Sequence, residues 1–273
     1  MFRGKMSSLF ETDKQGGASS SSLEKPGAVL EIDESSGLSD FEYGVNVATS
    51  VHSVRLGFLR KVYGILSVQL LLTVIISTLF MVIQPLQNFV LHAPWFTMLA
   101  IFSSFGFLIG LFCVKDRYPL NMQLLFGFTL CESISVGTIC AAYAKAGLGF
   151  IVIEALFITL LVFSGLTLYC FVSKKDFSFL GGFLYAALMS LVVGSLFMLV
   201  FSGFGGKVSP LLGFAFSVIG SLVFCGYILF DTSMIIKHFS PDQYIEAAIA
   251  LYLDLINLFL YILQILSYLQ DRN

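Results

Sequence analysis

Charge is what this 273-residue chain has least of: 12% of its residues are Asp, Glu, Lys or Arg, against 57% hydrophobic. With a mean hydropathy of +0.90, that scarcity excludes an ordinary soluble domain and makes the lipid bilayer the first partner. The apolar residues run continuously rather than alternating with polar ones, which excludes an outer-membrane type of β-barrel. Metal-type cysteine pairs are lacking: Cys113, Cys131, Cys140, Cys170 and Cys225 fall within or at the ends of apolar runs and read as small packing residues. No apolar core followed by a cleavage-like site occurs in the first fifty residues, so no signal peptide is expected and the first span must direct insertion. Basic residues are not in excess, the net charge being −2, and no nucleic-acid partner is expected.

What is there falls into two parts. Residues 1–54 are polar, with a serine run from Ser19 to Ser22 and an acidic stretch containing Glu31, Asp33, Glu34, Asp40 and Glu42, and they read as a disordered cytoplasmic tail. Residues 55–273 hold seven apolar segments, approximately Val62 to Ile83, Trp95 to Val114, Met122 to Ala144, Gly149 to Val172, Leu180 to Phe201, Leu211 to Ile236 and Tyr244 to Tyr268. Each is near the roughly 20 residues that cross a hydrocarbon core as a helix, so the fold class is all-α, a polytopic membrane bundle of seven spans. Pro85, Pro94, Pro119, Pro210 and Pro241 stand in or beside the joints, where a missing N–H costs little. Arg55, Arg60, Lys61, Lys115, Arg117, Lys174, Lys175 and Lys237 collect at one set of span ends, while the other set has Lys145, Lys207 and Arg272. That bias predicts a cytoplasmic N-terminus. The last segment is long enough to span, although a re-entrant course would return the C-terminus to the same side.

Carboxylates inside such spans are costly, an aspartate at mid-membrane about 2.5–3.5 kcal/mol on insertion scales, and count as functional candidates. Glu132, Glu154, Asp231 and Asp254 are expected to face the bundle interior or a wet cavity, the two glutamates as possible lining of a pathway. Pro241 lies ten residues after Asp231 and thirteen before Asp254. In an antiparallel hairpin rising about 1.5 Å per residue, this places the two carboxylates within about one turn in depth. Depth does not fix the rotation of either helix, so contact is an expectation. Two carboxylates meeting away from water cannot comfortably both ionise and would hold one proton between them. Loss of that proton would make them repel, or make Asp231 and Asp254 a transient site for Ca2+, which prefers oxygen ligands. No resident cofactor is expected.

Three shorter patterns mislead. Asp116-Arg117-Tyr118 spells a triplet that G-protein-coupled receptors carry after their third helix, but here it follows the second. The glycine-rich run Ser202 to Lys207 lacks the spacing of a phosphate-binding loop. Intramembrane aspartyl proteases pair a YD with a GxGD motif, whereas here the aspartates read Leu229-Phe230-Asp231-Thr232 and Tyr252-Leu253-Asp254-Leu255, so the reading is not an enzyme.

Over residues 55 to 270 the chain resembles the Bax inhibitor-1/Lifeguard membrane proteins, particularly plant-type Lifeguard members. The resemblance rests on Phe58-Leu59-Arg60-Lys61-Val62-Tyr63, Tyr118-Pro119-Leu120-Asn121, Gly165-Leu166-Thr167-Leu168-Tyr169 and Asp176-Phe177-Ser178-Phe179-Leu180-Gly181. It is strongest in Gly226-Tyr227-Ile228-Leu229-Phe230-Asp231-Thr232 and in Ala250 through Phe259. The resemblance implies six helices around a central C-terminal seventh and a Ca2+ leak pathway, Ca2+ being the permeant ion, in an internal membrane such as the endoplasmic reticulum. It implies that Asp231 and Asp254 form a di-aspartyl pH sensor with a basic latch at the end of the second helix, Lys115 or Arg117. It further implies suppression of programmed cell death and contact with Bcl-2-type proteins or calcium channels. A membrane interaction protein that conducts nothing, and a proton-coupled cation exchanger, are the alternatives. The lysine-rich C-terminal tail of the Bax inhibitor branch is not matched by Ser267 to Asn273.

Overall fold

The computed structural model describes residues 52–114, 117–173, 175–206 and 209–271. Of the predicted N-terminal tail, residues 1–51 lie outside them, while residues 52–54 belong to the first helix. Eight α-helices and one 3₁₀ turn account for nearly all of the described chain: α1 (His52–Val82), α2 (Gln84–His92), α3 (Pro94–Cys113), α4 (Leu120–Lys145), α5 (Gly149–Ser173), a 3₁₀ turn (Ser178–Leu180), α6 (Gly181–Gly203), α7 (Pro210–Lys237) and α8 (Tyr244–Gln270). Seven of them, all except α2, are long and apolar enough to cross a membrane. α8 is a single unbroken helix of 27 residues, about 40 Å at 1.5 Å per residue, which leaves no reversal inside it for a re-entrant course.

Helix boundaries follow from the prolines. Pro85, Pro94 and Pro210 occupy the first turns of α2, α3 and α7, where the absent N–H has no intrahelical acceptor to lose. Ser209 caps α7, its Oγ accepting from the Leu212 amide at 3.2 Å. Two boundaries differ from the sequence reading. α1 begins ten residues before the predicted Val62, because Arg60 and Lys61 are good helix formers and Phe58 continues the buried face of Val62 and Leu66 one turn earlier. The joint between the first two spans contains α2, nine residues that bury Gln87 and Val90 and pack against α1, α3 and α4.

α8 is the innermost helix. It packs on α1, α5 and α7 and touches α4, and Leu251, Tyr252, Leu258 and Leu263 are wholly buried along it. α3 and α6 form an outer layer, packing chiefly on α4 and α7 respectively. Four spans therefore line the central one directly, and the remaining two spans cover them. The outer surface is apolar: Phe102, Phe105 and Ile109 of α3 and Phe183, Val193 and Phe197 of α6 are exposed, as a lipid-facing surface requires.

Inside, the pattern inverts. The buried stripe of α1 runs Phe58, Val62, Leu66, Gln69, Thr73, Ser77, turning from apolar to polar along one face. Gln69 Nε2 donates to Thr129 Oγ1 at 3.0 Å, and Thr73 Oγ1 lies 2.9 Å from both Ser133 Oγ and the Tyr252 hydroxyl. Lipid tails are as apolar as leucine, so specific hydrogen bonds and close packing, rather than burial of grease, register α1 against α4 and α8.

Candidate functional site

The α7–α8 hairpin positions both membrane aspartates. Its joint is short, with Ser240 N donating to Gln243 Oε1 at 2.9 Å and Gln243 Nε2 to Glu246 Oε2 at 3.2 Å. Asp231 stands six residues before the end of α7 and Asp254 ten after the start of α8, about 9 and 15 Å along their axes. Close approach of the two helices is helped by Gly220, where a Cβ would come within 2.6 Å of the Tyr261 ring. Gly226, where a Cβ would meet Leu184 at 2.8 Å, similarly draws α6 onto α7.

In this setting the carboxyls of Asp231 and Asp254 lie close enough to interact directly across the α7–α8 contact. A carboxylate only accepts, so a carboxyl–carboxyl hydrogen bond requires one of the two to carry a proton. Asp254 is 5% exposed and its Oδ2 has no partner, while Asp231 is partly exposed. Tyr227 stands one turn before Asp231 on α7. The Tyr63 hydroxyl of α1 lies near Thr167 of α5 and Thr232 of α7. None of these three hydroxyls completes a hydrogen bond. Leaving buried polar atoms unpaired costs on the order of 1–3 kcal/mol each, so this seam beside the aspartate pair is a polar feature that packing alone does not explain.

The other predicted site residues are placed apart from the pair. Glu132 is half-buried on α4 beside Ser104 of α3, whose Oγ donates to the Ile101 carbonyl at 2.9 Å. Glu154 is exposed on α5, contrary to the expectation that it faces the interior. It stands five residues from the start of that helix, within about 8 Å of its end, so its side chain can reach the interface without entering the bundle. Lys115 lies outside the described residues. Arg117 is exposed just ahead of α4 and forms no ion pair with either aspartate. Among the described residues no three His, Cys, Asp or Glu side chains gather around one point. A Ca2+ held between Asp231 and Asp254 would therefore complete its 6–8 oxygens with backbone carbonyls and water.

One cluster escaped the sequence reading. Asp176, in the α5–α6 joint, accepts from the Ser178 amide at 2.9 Å, from Ser233 Oγ at 3.4 Å and pairs with His238 Nε2 at 3.1 Å. Ser233 Oγ in turn accepts from the Phe177 amide at 3.0 Å. The joint is thereby clamped to the last turns of α7, two residues beyond Asp231. The Ser178 amide, foremost, and the His238 ring hold the Asp176 carboxyl well below the usual carboxylate range. The Asp176-x-Ser178 spacing was a legible sign of such a turn. Nothing in the sequence pointed to His238, 62 positions away.

Comparison with known proteins bears on the whole of this arrangement. Residues 55–271 match the family described as Inhibitor of apoptosis-promoting Bax1. The chain is 41% identical over 252 residues to Bax inhibitor 1 of Schizosaccharomyces pombe, covering 91% of each protein. It is 39% identical over 228 residues to Protein lifeguard 4 of Mus musculus, covering 84% of this chain and 92% of that one. It is 42% identical over 222 residues to Protein LIFEGUARD 1 of Arabidopsis thaliana, covering 78% and 90%. With the match running from the first span to the end of α8, this seven-span helical protein belongs to the Bax inhibitor-1/Lifeguard family.

Proposed function

We propose that the chain restrains programmed cell death from within an internal membrane such as the endoplasmic reticulum, by acting as a pH-sensitive leak for Ca2+ gated by Asp231 and Asp254. The names of its relatives support the cell-death role. The observation that carries the gate is the direct approach of two carboxyls on adjacent helices of the bundle core.

While one proton is shared, a hydrogen bond between the two carboxyls ties α7 to α8. Once the proton leaves, two anions face each other in a low dielectric, and the helices must separate or take up a cation. Ca2+ answers that need with hard oxygen coordination. The unpaired hydroxyls of Tyr63, Thr167 and Thr232 supply further oxygens beside the pair. Arg55, Lys175 and Lys237 lie at one end of the bundle, supporting a cytoplasmic N-terminus by the positive-inside bias. Lys115 and Arg117 remain the candidates for a basic latch, and Bcl-2-type proteins or calcium channels the candidate partners.

Purified protein in Ca2+-loaded liposomes tests the gate directly, because intrinsic flux needs no partner. Asp254→Asn or Asp231→Asn is expected to alter the pH dependence of Ca2+ release. Unaltered flux and pH response in both variants would remove the gate from the mechanism.

A further inference from the structure

Near the end of α5 the rings of Tyr63 on α1 and Phe171 on α5 lie 6.4 Å apart between centroids. Towards the opposite end of the bundle the two helices stand further apart, and a cavity of about 200 Å³ opens between them. Leu70, Val74 and Met81 belong to its α1 wall, and Val152, Leu156 and Leu160 to its α5 wall. Buried residues of α4 and α8, among them Cys140, Leu255 and Phe259, form the floor. The rim residues Val74, Val82, Ile153 and Leu160 are exposed on the outer surface of the bundle, so the cavity opens towards lipid.

One group in this lining is out of place. Ser77, 7% exposed, stands in the α1 wall, and its hydroxyl has no hydrogen-bond partner among the described residues. Hydroxyls on a membrane helix ordinarily donate to the carbonyl four residues earlier, as Ser67, Thr73 and Thr78 of the same helix do at 2.7, 2.9 and 2.7 Å. Ser77 does not, and the Cys140 thiol that shares the lining is too weak a partner to satisfy it. A hydroxyl left unpaired away from water is costly, and a ligand that supplies its partner is favoured.

The cavity is somewhat larger than the roughly 150 Å³ apolar void that takes up benzene, so it admits a ring but not a phospholipid headgroup. A flexible acyl chain would fill the space and bring nothing for Ser77. A sterol brings a rigid apolar body and a single hydroxyl on its terminal ring. Ser77 stands five residues before the end of α1, about 8 Å along the axis, so such a hydroxyl reaches it without being drawn to the middle of the hydrocarbon. We propose that the α1/α5 cleft is a sterol-binding site, with the terminal ring in the cavity, its hydroxyl paired with Ser77 and its remainder lying between the exposed rims.

A photoreactive cholesterol probe, applied to the purified full-length chain in phosphatidylcholine liposomes, reads the site when the labelled residues are mapped by mass spectrometry. Competition with unlabelled cholesterol, or with cholestene, which has the same rings and no hydroxyl, reads the affinity. Labelling is expected on the facing walls of α1 and α5. The wild type is expected to bind cholesterol roughly three- to tenfold more tightly than cholestene, and Ser77→Ala to bind the two equally. Val74→Phe, at an exposed rim position that does not threaten folding, is expected to weaken both several-fold. Ile75→Phe, next in sequence, exposed and outside the described lining, is expected to weaken neither. Equal binding of cholesterol and cholestene by the wild type would reduce the cleft to a space for acyl chains and overturn the proposal. So would the absence of saturable labelling, a preference that survives in Ser77→Ala, or an equal loss in Val74→Phe and Ile75→Phe.

Discussion

Replacing Asp254 by Asn removes the shared proton while leaving a hydrogen bond in its place, since the amide can donate to an ionised Asp231. The geometry fixes how steep the wild-type response can be. Two carboxyls that meet share one proton, and Glu132, half-buried on α4, stands beside Ser104 of α3, apart from the pair. A switch of one proton changes the ratio of two states at most about tenfold per pH unit, equivalent to about 1.4 kcal/mol. Ca2+ release from liposomes, followed with a luminal indicator across a pH series, is therefore expected to approach that slope in the wild type and to flatten in Asp254→Asn. Asp254→Ala serves as the contrasting variant. It strips Asp231 of its partner, at a cost of about 1–3 kcal/mol that should lower the midpoint of thermal unfolding by several degrees. A wild-type slope clearly steeper than tenfold per pH unit, or a slope that survives in Asp254→Asn, would refute the single-proton pair as the gate.

Gly220→Ala would drive a methyl group to 2.6 Å from the Tyr261 ring, an overpacking expected to cost about 1–3 kcal/mol; thermal unfolding should show the loss, and Tyr261→Leu should recover part of it. The Asp176 clamp gives a pH prediction of definite sign. Because the native carboxyl is held below its ordinary range, its contribution to stability is fully present above the unfolded value of about 3.9 and is lost only as pH falls through the lower, folded value. Hydrogen exchange at Phe177 and Ser178 should therefore be unchanged between pH 7 and pH 5 in respect of this carboxylate, and should quicken in Asp176→Asn. Glu154→Gln, at an exposed position, is expected to leave stability within about 0.5 kcal/mol of wild type and the liposome flux unchanged; a large loss of flux would return Glu154 to the pathway.

The sequence by itself determined the membrane class, the seven spans, the joints and the common depth of Asp231 and Asp254. These depend on composition, on proline chemistry and on the fixed rise of a helix, and none needs a neighbour to be known. Rotation about each helix axis was beyond it. In a soluble helix an apolar stripe marks the buried face, but here residues of lipid-facing and core-facing surfaces are alike apolar, and the period carries almost no information. Only the tertiary structure decided that Asp254 turns inward to meet Asp231 while Glu154 turns outward. It alone set the polar stripe of α1 against Ser133 and Tyr252. It alone brought His238 to Asp176. Each of those outcomes rests on hydrogen bonds or charges contributed by distant segments, which acquire their partners only when the helices pack.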